Sequence, residues 1–208
     1  GELRPWVSGK DLILHTIGQL GVSGALYRAI EFSGPVIDQL SMAGRFTMAN
    51  MAIEAGGKAG LFVVDDVTKR YLDGRLGRAY TAYEADPDAA YAQVLNIDAS
   101  ALEPVVALPH SPANVRPARD VEGISLDQAV IGSCTNGRME DLRVAAELLR
   151  GKHVHPRVRC IIIPGTQQVY LNALREGMVE AFIEACAVVS TLTCGLCLVG
   201  HMGVLAAG

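Results

Sequence analysis

The sequence predicts an α/β protein built on mostly parallel sheets, and three observations carry that expectation. Half of its 208 residues are hydrophobic and only 19% are charged, enough apolar surface for one substantial core or two modest ones. Its 22 glycines break the chain into short segments with tight turns. The second half alternates short apolar runs with amphipathic stretches, a β-α-β-α-β rhythm that implies parallel strands and right-handed crossovers.

Ser8 is a suitable N-cap for a helix over 10–19, with Leu12, Ile13 and Ile17 on one face and Gly21 as its stop. Residues 25–32 (ALYRAIEF) read as a strand of imperfect alternation, and 35–40 and 45–55 as short helices, the second ended by Gly56-Gly57. A buried strand is expected over 60–64. Asp65 and Asp66 then suit the first turn of a helix reaching Leu72, because negative charge is favoured at a helix N-terminus. Residues 73–88 read as a surface loop, followed by extended pieces at 92–97 and 105–108. Pro109, Pro112 and Pro117 mark 109–120 as a linker between a domain over 1–108 and a domain over 121–208.

In the second domain, 128–133 is a short apolar strand that runs straight into Cys134-Thr135-Asn136-Gly137. Asn136 is the expected cap of a helix over 137–150, which turns Met139, Leu142, Ala146 and Leu149 inward and Glu140, Arg143, Glu147 and Arg150 to solvent. Residues 159–164 form a second strand, 167–175 and 179–185 two helices, and 187–190 a third strand leading to Cys194.

Composition excludes several functions. A net charge of −4 without a basic tract gives nucleic-acid binding no support, and no apolar run is long enough to span a membrane. No signal peptide is recognisable, and five cysteines, an odd number, argue against a fully paired secreted framework, so a reducing cytoplasm is expected. The chain opens without methionine and stops at Ala206-Ala207-Gly208, soon after the last cysteines, which reads as a piece of a longer protein.

The chemistry concentrates in Cys134, Cys194 and Cys197. Thiols at two strand-end turns of such a chain point to a metal rather than a disulfide. Three thiolates are one short of a closed tetrahedral site and suit a cluster with an open position. Ligands of open α/β sheets bind beyond the carboxyl ends of strands, so two neighbouring strand ends would bring the three thiolates to one cluster. Taken alone, Cys194-Gly195-Leu196-Cys197 also fits half of a structural zinc site, with His201 as a fourth ligand, or a redox dithiol.

Four segments together resemble the aconitase superfamily: 131–142 (IGSCTNGRMEDL), 193–202 (TCGLCLVGHM), 44–60 (GRFTMANMAIEAGGKAG) and 9–14 (GKDLIL). Within it the chain is most similar to large subunits that act on isopropylmalate-type acids, with the homoaconitases close by. The resemblance implies aconitase-like iron–sulfur domains of three-layer α/β/α build. It also implies a [4Fe-4S] cluster held by Cys134, Cys194 and Cys197, and dehydration and rehydration of a branched hydroxy acid. Hydroxide leaves poorly, and an open Lewis-acidic iron would stabilise it. The serine base and the substrate-binding arginines would come from parts this chain lacks, the base from a separate swivelling domain or small subunit. Asn50 and Glu54 match positions that line the active site, Asn50 near the cluster and Glu54 on the hydroxyl or water; their i,i+4 spacing puts them on one helical face. Leu192 and Leu196 stand where family members often carry proline.

Plainer readings stand beside these. Asn50 and Glu54 can belong to an exposed helix face, and Arg138 to either a helix start or the surroundings of an anionic cluster. Cys160 and Cys186 read as small buried hydrophobes, His153 and His155 as surface residues, and Met42, Met48 and Met51 as core packing.

Overall fold

The computed structural model describes residues 1–198 and 200–205; Val199, inside the dicysteine segment, and the terminal Ala206-Ala207-Gly208 lie outside them. The chain divides into two compact units, one over residues 1–122 and one from Gly123 onward.

The first unit is organised by helix α1 (Gly9–Leu20). Ser8 Oγ accepts from the Lys10 N–H (3.2 Å), and Asp11 Oδ2 accepts from the Ser8 N–H (2.8 Å), so the helix start is closed from both sides. The other Asp11 oxygen accepts from the Val105 N–H (2.9 Å), which ties the helix to strand β3 (Val105–Ala107). Leu12, Ile13 and Ile17 point into a core shared with Phe32, Met48, Met51 and Leu102. Strands β1 (Ala29–Glu31) and β2 (Ala59–Leu61) pair in parallel. Between them lie α2 (Pro35–Gln39), α3 (Met42–Met51) and a 3-10 turn over Ala52–Ala55. Asp65 caps α4 (Asp66–Leu72), its carboxylate accepting from the Thr68 N–H (2.9 Å).

α1 and α3 meet through glycine. A Cβ on Gly9 would lie 2.7 Å from the Gly44 carbonyl oxygen, so no larger residue fits without parting the helices. Gly9→Ala is expected to cost about 1–3 kcal/mol, typical of overpacking a close-packed contact. The measurement is a urea titration, in which the midpoint should fall at constant slope. An unchanged midpoint would mean the helices separate freely.

Several expectations for this unit need correction. Of residues 25–32 only Ala29–Glu31 are strand, with 25–27 in a turn, and the strand expected over 60–64 is Ala59–Leu61. Residues 92–97 are not a strand; with Tyr91 they line a cavity of about 930 Å³ beside β1, and the Tyr91 hydroxyl donates to Glu31 Oε2 (2.9 Å). Residues 109–120 are not a free linker. They hold the turn and return strand of an antiparallel hairpin, β4 (Val115–Pro117) against β3, closed by the Leu108 N–H on the Asn114 carbonyl (2.9 Å). Pro117 is tolerated because a sheet edge does not need its missing N–H.

The second unit carries a parallel sheet in the order β5 (Gln128–Gly132), β6 (Arg159–Ile163), β7 (Val188–Val189). Because sequential strands are spatial neighbours, right-handed crossovers place every connecting helix on the same face. Accordingly α6 (Met139–Leu149), α7 (Gln167–Arg175) and α8 (Met178–Glu184) touch one another and share a core with Cys160, Ile162 and Phe182. On the opposite face Ile161 is nearly inaccessible: Gly203 lies against both it and Leu196, and Gln128 Nε2 donates to the Gly203 carbonyl (2.9 Å). Met48 and Met51 are core residues, as expected. Among the described residues no helix is long and apolar enough to cross a membrane.

Candidate metal centre

Two arms carry the candidate ligands, both leaving the carboxyl side of the parallel sheet. The first begins where β5 ends. Gly132 (φ 114°) and Ser133 (φ 68°) both adopt left-handed φ, reversing the chain and presenting Cys134 to solvent. A Cβ at Gly132 would fall on the Ile163 carbonyl, so glycine is obligatory there. Ser133 starts a single helical turn, α5 (Ser133–Asn136). Asn136 therefore ends one turn and does not cap the next. The cap of α6 is Arg138, whose N–H donates to Asp141 Oδ2 (2.9 Å). Asp141 Oδ1 accepts from Asn136 Nδ2 (3.1 Å), Arg138 Nη2 donates to the Cys134 carbonyl (3.2 Å), and the Gly165 N–H donates to the Gly137 carbonyl (2.7 Å). Arg138 thus serves both as a helix start and as a neighbour of Cys134.

The second arm follows β7. The Ser190 N–H donates to the Ile162 carbonyl (2.9 Å), extending the sheet by one bond. Thr193 Oγ1 accepts from the Gly195 N–H (2.9 Å), opening a short turn, α9 (Gly195–Leu198). Cys194 and Cys197 are both exposed, and their spacing of three puts them on one side of that turn. His201 packs against Gly195: a Cβ there would lie 3.0 Å from His201 Cγ.

The strand order corrects one expectation. β5 and β7 are not neighbours; β6 lies between them, so the two arms start about two interstrand spacings apart, roughly 10 Å. Among the described residues no three or more His, Cys, Asp and Glu side chains stand together as a metal-holding group. The donor set nevertheless fits an iron–sulfur cluster in kind: three exposed thiols, soft donors on two arms.

The remaining thiols behave differently from each other. Cys160 is buried in β6, and burial pushes its thiol above the ordinary value, as befits a small hydrophobe. Cys186 is not a buried hydrophobe: it is exposed at a left-handed turn (φ 64°), its sulfur 3.9 Å from His153 Nδ1.

Asn50 and Glu54, both exposed, lie in the first unit. They do not share one α-helical face: α3 ends at Met51, and Glu54 sits in the 3-10 turn that continues it. Three residues per turn in place of 3.6 rotates Glu54 away from the stripe that Asn50 occupies. Sequence reasoning missed Asp141, although an acidic residue three positions after the helix start is a readable capping signal.

The chain belongs to the aconitase family: the family's sequence profile (aconitate hydratase) matches residues 1–122 and 114–208. Along its entire length it is 64% identical to the 3-isopropylmalate dehydratase large subunit of Moorella thermoacetica, covering 49% of that protein. It is 62% identical to that of Halothermothrix orenii (50% covered) and 58% to that of Aquifex aeolicus (49% covered). The chain thus spans about half the length of the curated relatives it matches.

Proposed function

We propose that this chain is the cluster-holding part of a hydro-lyase large subunit that isomerises a branched hydroxy acid of the isopropylmalate type by dehydration and rehydration, a step of leucine biosynthesis in the cytoplasm. One observation carries the reading: three exposed cysteines on two arms at the carboxyl side of a parallel sheet, in a chain 64% identical to such a large subunit. Cys134, Cys194 and Cys197 would hold a [4Fe-4S] cluster. When bound, that group supplies an open Lewis-acidic iron that stabilises departing hydroxide.

The chain's own residues then have separable tasks. The Gly132-Ser133 turn and the Gly137–Gly165 contact fix the Cys134 arm, while Thr193 fixes the start of the turn that carries the other two thiols. By the family resemblance alone, Asn50 would hydrogen-bond near a cluster and Glu54 would contact the hydroxyl or water. The base that removes the proton next to a carboxylate would belong to a small-subunit partner.

The test is anaerobic reconstitution with iron and sulfide, followed by assay with a small subunit and candidate hydroxy acids. A brown protein with about four irons and four sulfides per chain is expected. A colourless protein without iron, or one zinc and no sulfide, would overturn the reading.

A further inference from the structure

We propose that Asp141 is a positioning residue for Cys134, holding the cysteine loop in its ligand-presenting shape. The inference rests on the reading of Cys134 as a cluster ligand. A helix start needs one carboxylate oxygen, and the Arg138 N–H uses Asp141 Oδ2 for it (2.9 Å). The second oxygen is turned away from the helix, accepting from Asn136 Nδ2 (3.1 Å), five residues upstream and inside the cysteine loop. Arg138, fixed by the same carboxylate, reaches back from its guanidinium to the Cys134 carbonyl (3.2 Å). The loop is also clamped at Gly137 by the Gly165 N–H (2.7 Å).

These bonds form a closed circuit: Cys134 carbonyl to Arg138 side chain, Arg138 backbone to Asp141, and Asp141 back to Asn136. The circuit sits on α6, the helix whose Leu142, Ala145 and Ala146 are buried in the core of the second unit. Rigidity of the core is thereby passed to the loop through one side chain. The Gly132-Ser133 turn requires such support, because two consecutive left-handed residues, one of them a serine, persist only where their surroundings over-determine them.

Two variants separate positioning from helix capping. Asn136→Ala leaves the Arg138–Asp141 cap in place and removes the link from Asp141 into the loop. Asp141→Asn keeps the size of the side chain, but its single acceptor oxygen serves one of the two donors. Cluster-free chains are compared by thermal melting, and anaerobically reconstituted chains by iron and sulfide retained over time under a chelator. Asn136→Ala is expected to melt within about 2 °C of the parent, as for a single partly exposed bond. Its cluster should nevertheless be lost about tenfold faster, the usual scale for residues that orient a metal ligand. Asp141→Asn should show both a lower melting temperature and the faster loss.

A second readout does not need the cluster. In a background with serine at Cys186, Cys194 and Cys197, the alkylation rate of Cys134 is expected to change severalfold in both variants. Should the parent chain take up no iron, the cluster reading fails while altered alkylation still supports the positioning role. Parent-like cluster lifetimes, or parent-like alkylation rates where no cluster forms, would overturn it.

Discussion

Arg45→Met is expected to destabilise the first unit by about 3–5 kcal/mol, the usual cost of removing one partner from a buried ion pair. Arg45 is only 2% exposed, and its whole guanidinium is engaged. Nη1 donates to Asp65 Oδ1 (2.7 Å) and Thr68 Oγ1 (3.1 Å), and Nη2 to Asp65 Oδ2 (2.6 Å). Further bonds of 3.2 Å run from Nε to the Leu40 carbonyl and from Nη2 to the Ile37 and Asp38 carbonyls. One side chain on α3 therefore holds the end of α2 and the cap of α4. Methionine fills much of the volume but leaves those acceptors without their donor. Chemical denaturation of the first unit measures the loss; a change below 1 kcal/mol would show that water replaces the guanidinium cheaply.

The same pair makes stability depend on pH. The Arg45 guanidinium, bonded to Asp65, holds that carboxyl well below the usual carboxylate range; the Thr68 N–H adds to this, and burial opposes it. A carboxyl depressed in the folded state contributes its stability in full above its unfolded value near 4, and loses it as pH falls through and below that value. Asp65→Asn retains a good cap residue and removes the titration. The gap between parent and Asp65→Asn should therefore be widest above about pH 5 and narrow steadily towards pH 3. A gap constant across that range would exclude the pair as its source.

The second large effect concerns the thiols. Serine at Cys134, Cys194 or Cys197 is expected in each case to leave less than about a tenth of the parent iron after reconstitution, since a hydroxyl is a hard, weakly acidic donor in place of a soft thiolate. Cys186→Ser should retain parent iron. Cys160→Ser should retain it too, while losing about 1–3 kcal/mol for a hydroxyl placed in the core of β6. Equal iron in all five variants would dissociate these cysteines from metal binding.

Much of this architecture could be read from the residues. The parallel sheet followed from short apolar runs alternating with amphipathic stretches, and α1 and α4 from Ser8 and Asp65, whose side chains do cap them. Local chemistry sufficed at those two helix starts but not at α6, where Asp141 rather than Asn136 satisfies the Arg138 N–H. It also failed where the partner was remote in sequence. The hairpin over 105–117 was hidden because proline there marks an edge as well as a break. The separation of β5 and β7 was hidden because strand order is set by how helices pack on the sheet, which no residue in the cysteine motifs encodes. The register of Asn50 and Glu54 turned on a change of helical pitch at Met51.

The brevity of β7 has a consequence in the kinetics of amide exchange. β6 pairs over five residues with β5, whereas β7 is held by two residues and one further bond from Ser190. Local opening free energy scales with the contacts broken, so the Ile161, Ile162 and Ile163 amides should exchange only through global unfolding, while the amides of residues 191–194 should exchange through smaller openings. Were the three thiols to hold one group, the Cys194–Cys197 arm, tied to the sheet by fewer bonds, would lose more conformational entropy on ligation than the Cys134 arm.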